Sequence, residues 1–140
     1  MAGPYIVPLL GIIPKVKKSK RVEHELGLLA VDDPRGSFAE AYRSMRTALQ
    51  FSTSDGAPSR LMVTSSVASE GKSTTALALA INFAQLGKRV LLIDADMRNP
   101  SLHKSLDLSN DRGLSNYLSG EGTRDSLIRP CSVPNLKVMT

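Results

Sequence analysis

Cysteine is nearly missing from this chain. Cys131 stands alone among 140 residues, so no internal disulfide can form. With no signal-peptide pattern ahead of it, the sequence reads as that of a reducing, cytoplasmic compartment, with Cys131 a buried or idle thiol. Long hydrophobic runs are missing too. The longest apolar candidate, residues 5–13, is interrupted by Pro8 and Gly11, well short of the roughly 18 residues that a bilayer span requires. The chain itself is therefore not expected to cross a membrane. Internal repeats and low-complexity tracts are absent as well.

Excess charge of one sign is lacking over most of the sequence. The net charge is +5, from 18 basic and 13 acidic residues, and Lys15, Lys17, Lys18, Lys20 and Arg21 supply five of the positive charges. Without them the remainder is neutral, 13 against 13. This localisation argues against a nucleic-acid-binding surface and for a basic stretch at one end, either a solvated linker or a contact with anionic lipid.

What is present is an ordinary globular composition, 41% hydrophobic and 22% charged, sufficient for one domain with a real core. Residues 1–35 contain Pro4, Pro8, Pro14 and Pro34 around the basic run and read as an extended basic linker. Residues 36–140 read as the folded part. Phe38, Ala41, Tyr42, Met45 and Leu49 recur at helical spacing, which predicts a helix over 37–51 with Ser37 as N-cap and Glu40 three residues on. Asp55, Gly56 and Pro58 mark a loop. A short strand is expected over 60–65, a helix over 72–86 closed by Gly87, and a second strand over 89–94, apolar enough to be buried on both faces. Strand, helix and strand make a βαβ unit of a parallel sheet, whose ligands sit at the carboxyl ends of the strands. Short helices near 102–106 and 114–118 and a strand over 135–139 complete the expectation.

Two motifs carry chemistry. SSVASEGKST, residues 65–74, has Gly71, Lys72 and Ser73 of the GxxxxGKS/T phosphate loop, with Ser66 at the first glycine. A loop of this kind holds phosphate with main-chain N–H groups and the N-terminus of the following helix. Gly71 keeps the crowded end open, Lys72 puts a compact positive charge on the β and γ phosphates, and the Ser73 hydroxyl suits a magnesium ion bridging them. Thr74 can add a contact to the α phosphate. The plain alternative is a turn of small residues, which the strand-loop-helix setting disfavours.

LLIDADMRNP then places Asp94 and Asp96 just past the second strand and two residues apart, so that in extended chain they share a side. Near bound nucleotide they could hold Mg2+ or its waters, and one could accept the proton of an attacking hydroxyl. We take Asp96 as the base and Asp94 as the metal side, with the reverse assignment open. Arg98 is close enough to pair with either. The bland alternative is an exposed acidic turn.

These residues resemble the bacterial protein-tyrosine kinases, cytoplasmic domains that accompany exopolysaccharide and capsule assembly. Ser66 and the Glu70–Gly71–Lys72–Ser73 run are similar to that family's phosphate loop, with Ala68 and Ser69 standing where the family usually has Pro-Gly. Asp94, Asp96 and Arg98 match its DxDxR motif, followed by Pro100 and His103. Glu40, Arg43 and Arg46 match an ExxRxxR motif that the family uses between subunits of a ring, although an intrahelical Glu–Arg pair would leave the same pattern. PLLGIIPKV looks like the segment following a membrane span in fused members.

The resemblance implies a P-loop NTPase-like α/β fold, with a parallel sheet flanked by helices that is incomplete over these residues. It also implies ATP and Mg2+ as cofactors, with Ser66, Ser69, Glu70, Gly71, Lys72, Ser73 and Thr74 at the nucleotide and Ser73 and Asp94 at the metal. As partners it implies a homo-oligomer and a membrane-embedded polysaccharide co-polymerase or activator, at the inner face of the plasma membrane. Partitioning and division-site ATPases are disfavoured by Val67, where they carry a further lysine. A later acidic strand and a tyrosine cluster, both expected in the family, are not found in the sequence, and Tyr5, Tyr42 and Tyr117 are scattered. Tyr42 lies on the apolar face of its helix, where packing is the expected role. The competing readings are a nucleotide-dependent switch without phosphotransfer and an inactive fragment.

Overall fold

The computed structural model describes residues 7–16, 28, 33 and 35–140. Helix α1 runs Ser37–Gln50, one residue short of expectation. Its N-cap is Gly36 and not Ser37, and no side chain caps it. Ser37 has entered the helix, and Glu40 turns forward onto Arg43 instead of back to the cap.

Helix α2 runs Lys72–Gln85. It ends as Gly87 foretold: the Gly87 N–H reaches Ala84 O at 2.9 Å and the Lys88 N–H reaches Phe83 O at 3.2 Å, with Gly87 at φ +78. This is a Schellman closure, in which a left-handed glycine satisfies the last carbonyls.

Three strands form one sheet in the order β1–β3–β2, with β1 at Val90–Ile93, β2 at Arg129–Pro130 and β3 at Leu136–Met139. Strand β1 pairs in parallel with β3, Val90 opposite Leu136 and Ile93 opposite Met139, while β2 pairs antiparallel to β3. The long parallel crossover holds the short helices α3 (Leu102–Ser105), α4 (Leu114–Ser119) and α5 (Arg124–Leu127). Helix α5 was not foreseen; Thr123 caps it by accepting from the Ser126 N–H.

Helix α2 is apolar on two sides because it is the middle layer. Leu77, Ala80, Ile81 and Ala84 pack with Leu92, Leu136 and Val138 of the sheet and with Leu102 and Leu106. Ala78 and Leu79 turn the other way, onto Phe38, Tyr42 and Leu49 of α1. Burying each such large side chain contributes roughly 1.5–3 kcal/mol, so α2 ties helix to sheet.

Two strand expectations are corrected. Residues 61–65 join no ladder among the described residues, and Leu61 and Met62 are exposed. A strand exists only where a neighbour takes its N–H and C=O groups, and apolar composition alone does not supply one. Strand β1 is not buried on both faces: Leu92 faces α2, but Leu91 and Ile93 are 43% and 44% exposed. Helix α2 covers one face of the sheet, and the other holds an open hollow lined by Leu91, Lys137, Arg124, Asp125 and Ile128.

The described part of the first 35 residues has no regular secondary structure over 7–16. It is not wholly detached, because Ile13 and Val16 pack against the α1–α2 cluster. Of the basic run, Lys17, Lys18, Lys20 and Arg21 lie outside the described residues, as does Tyr5.

Candidate nucleotide site

The loop over residues 65–71 enters α2 through Gly71, which sits at φ +88 with no heavy atom within 4 Å of where a Cβ would project. Gly71 is the helix N-cap and offers no side-chain bond, so among the described residues no side chain caps the first N–H groups of α2. Such orphan donors, at the positive end of the helix dipole, are what an anion requires. Ser73 and Thr74 lie half-buried in that first turn.

The two non-glycine positions behave differently. Ser66 is not among the residues at positive φ, so a serine is accommodated at the first-glycine position. Ser69 is, at φ 64, in the left-handed region that disfavours a Cβ. The strain therefore falls where the resembling family usually has glycine.

The donors of the loop mouth are taken by the chain itself. The Glu70 carboxylate accepts from the Ser66 N–H at 2.9 Å and the Val67 N–H at 3.2 Å through one oxygen, Oε2. Lys72 Nζ lies 2.6 Å from Asp96 Oδ2. The hydrogen bond from Lys72, and after it the Asn99 N–H, hold the Asp96 carboxyl below the ordinary carboxylate value. Arg98, expected to pair with Asp94 or Asp96, forms no ion pair with either among the described residues; it contributes only its backbone N–H, 3.3 Å from Asp96 Oδ1.

Asp94 is placed differently from Asp96. Its backbone N–H extends the β1–β3 ladder to Met139 O at 2.9 Å, at the carboxyl end of the parallel strands. Its side chain is buried: Oδ1 accepts from the Asp96 N–H, and Oδ2 accepts from the Ser101 and Leu102 N–H groups at 3.0 and 3.1 Å. Both oxygens thus have structural employment, folding the 94–102 turn and closing the start of α3. The metal role expected of Asp94 would fall on the lone pairs that these bonds leave. Asp96 is the carboxylate that meets the loop lysine.

Donors for magnesium are consequently few: the Ser73 hydroxyl and the carboxylates just described. Among the described residues no group of three or more His, Cys, Asp or Glu side chains could form a cage. This donor set fits Mg2+, which takes one or two protein ligands and completes its shell with phosphate oxygens and water.

The remaining expected residues lie on α1. Arg43 donates to Glu40 Oε2 from Nη2 at 2.5 Å and from Nε at 3.1 Å, so the intrahelical pair is made. Among the described residues, buried Arg46 Nε has no hydrogen-bond partner, nor does His103 Nδ1. The stripe borders a shallow groove with Thr47 and Phe51, and Phe51 is 83% exposed. The structure thus brings Lys72 and Asp96 together, sets Asp94 beside them through the turn, and keeps Glu40, Arg43 and Arg46 on another helix. Sequence reasoning missed the Glu70 contact, which closes within the loop, and the bond between Tyr42 and Thr75, which no local pattern signals.

A family model described as the CobQ/CobB/MinD/ParA nucleotide binding domain matches residues 61–125. The tyrosine-protein kinase YwqD of Bacillus subtilis is 36% identical over 125 residues, covering 89% of this chain and 53% of that protein. The tyrosine-protein kinase wzc of Salmonella typhi is 37% identical over 127 residues, 91% of this chain and 18% of that protein. The solved kinase domain of the Escherichia coli tyrosine kinase ETK superposes with a TM-score of 0.79 at 30% identity, covering 96% of this chain and 55% of that domain. The chain spans about half the length of YwqD and under a fifth of wzc.

Proposed function

The chain belongs to the family of bacterial tyrosine-protein kinases, and we propose that it carries the ATP-binding part of a protein-tyrosine autokinase that regulates exopolysaccharide or capsule polymerisation and export. The observation that carries this reading is the 2.6 Å contact of Lys72 with Asp96 beside the uncapped start of α2.

In this reading the triphosphate lies along the loop from Ser66 to Thr74, and its β and γ phosphates draw Lys72 away from Asp96. Ser73 and Asp94 would hold Mg2+, which would supply positive charge to the triphosphate. Asp96, no longer held down by Lys72 and now facing negative phosphate, becomes a better base. A tyrosine hydroxyl gives its proton to Asp96 as its oxygen bonds to the γ phosphorus, and the bond from that phosphorus to the bridging oxygen breaks, leaving ADP. Tyr42 is not the acceptor: its ring is buried and its hydroxyl is engaged.

The Glu40, Arg43 and Arg46 helix serves a homo-oligomer in this proposal, with the groove ending at exposed Phe51 as the contact face. A polysaccharide co-polymerase or its activator segment is the membrane partner. The run from Lys15 to Arg21 contacts anionic lipid at the inner face of the plasma membrane, each basic residue contributing about 1 kcal/mol. No described helix is long and apolar enough to cross a membrane.

A second reading, a nucleotide-dependent assembly switch without phosphotransfer, is favoured by the match to a CobQ/CobB/MinD/ParA domain over residues 61–125. Incubation with γ-labelled ATP separates the two. Label on tyrosine of the chain or of an added tyrosine substrate, lost in Asp96→Asn, supports the kinase; ATP binding with no transfer supports the switch.

A further inference from the structure

Tyr42 is 1% exposed, on the face of α1 turned towards α2. Its ring meets Phe38 edge-to-face, with centroids 5.0 Å apart, and its hydroxyl shares a 2.9 Å hydrogen bond with Thr75 Oγ1. Thr75 is in the first turn of α2, whose closing bond runs from the Thr75 N–H to Gly71 O at 2.8 Å. That turn carries Lys72, Ser73 and Thr74. Among the described residues, only two side-chain bonds from other elements reach it: Asp96 on Lys72 from the end of β1, and Tyr42 on Thr75 from α1. A nucleotide would compete for the first. The second remains, because Thr75 is turned to α1.

We propose that Tyr42 is a positioning residue for the phosphate loop, holding the first turn of α2 through Thr75 so that Lys72 and the free N–H groups keep one geometry for an incoming triphosphate. This rests on the reading of residues 66–74 as the nucleotide site. The physical basis is that Tyr42 and Thr75 are both anchored elsewhere, Tyr42 by the α1 core and Thr75 by the helix, so their bond fixes one body against the other. Burial pushes the Tyr42 phenol up from its ordinary value, so the hydroxyl keeps its proton.

The test is a double-mutant cycle on ATP affinity in the full chain, by calorimetry, with Tyr42→Phe, Thr75→Val, the pair, and Thr75→Ser. A net hydrogen bond corresponds to roughly two- to tenfold in an equilibrium. Tyr42→Phe and Thr75→Val are each expected to weaken ATP by about that factor, the pair by no more than either alone, and Thr75→Ser not at all. A merely structural role would lower thermal stability in Tyr42→Phe and Thr75→Val, again without adding because the two side chains touch, and would leave the ATP affinity of the folded protein unchanged. Wild-type affinity in Tyr42→Phe, or losses that add in the pair, would overturn the proposal. Lys72→Ala runs alongside: if it too binds ATP normally, the site reading has failed, whereas if it alone loses binding, only the role of Tyr42 has.

Discussion

Lys72 Nζ and Asp96 Oδ2 meet at 2.6 Å across the gap between the start of α2 and the end of β1. The pair joins the two motifs that the chain keeps 24 positions apart in sequence. It also occupies the ammonium group that the proposed triphosphate would need, so in that reading binding is an exchange of partners.

The exchange has a pH signature. The Lys72 contact and the Asn99 N–H lower the Asp96 carboxyl from its ordinary value of 3.8, so the folded chain holds this proton less tightly than the unfolded one. Stability from the pair is then fully present above pH 3.8 and lost as pH falls through the lowered folded value. Asp96→Asn lacks that titration. The thermal midpoints of wild type and Asp96→Asn should differ by a constant amount near neutrality and converge in acid; a difference that grows in acid would show the sign to be wrong.

Ser69 carries the strain of the loop, with φ 64 where a side chain is disfavoured. Ser69→Gly removes the Cβ but adds freedom to the unfolded chain. The net expectation is a gain of up to about 1 kcal/mol in urea unfolding. Destabilisation would mean that the left-handed turn is not part of the folded loop.

Glu70 places a carboxylate on the Ser66 and Val67 N–H groups, in the loop proposed to take the phosphates. Glu70→Gln keeps an oxygen acceptor and removes the charge. Loss of one like charge near the phosphates should tighten ATP roughly threefold, with the gain shrinking at high salt. Weaker binding in Glu70→Gln would instead make the carboxylate a brace that the loop needs.

Much of this was legible locally. The apolar spacing of Phe38 to Leu49, the Gly87 ending of α2 and the apolar run of β1 each depend on neighbours within a few residues, and each was found nearly in place. The loop-to-helix junction at Gly71, Lys72 and Ser73 could be read for the same reason. Non-local features escaped. Whether residues 61–65 join a sheet depends on a neighbouring strand and not on their own composition. Asp94 accepts from Ser101 and Leu102, seven and eight residues ahead, and Tyr42 reaches Thr75, 33 residues on. Local pattern marked these side chains as chemistry or packing, and the fold gave them hydrogen bonds besides.

The central claim is that residues 66–74 bind nucleotide phosphate through Lys72. Titration of the full chain with ATP and Mg2+ in a calorimeter, wild type against Lys72→Ala, addresses it directly. Removing a charge-assisted contact should weaken binding on the order of tenfold to a hundredfold, with the folded thermal transition retained. Equal affinity in the two proteins would contradict the account.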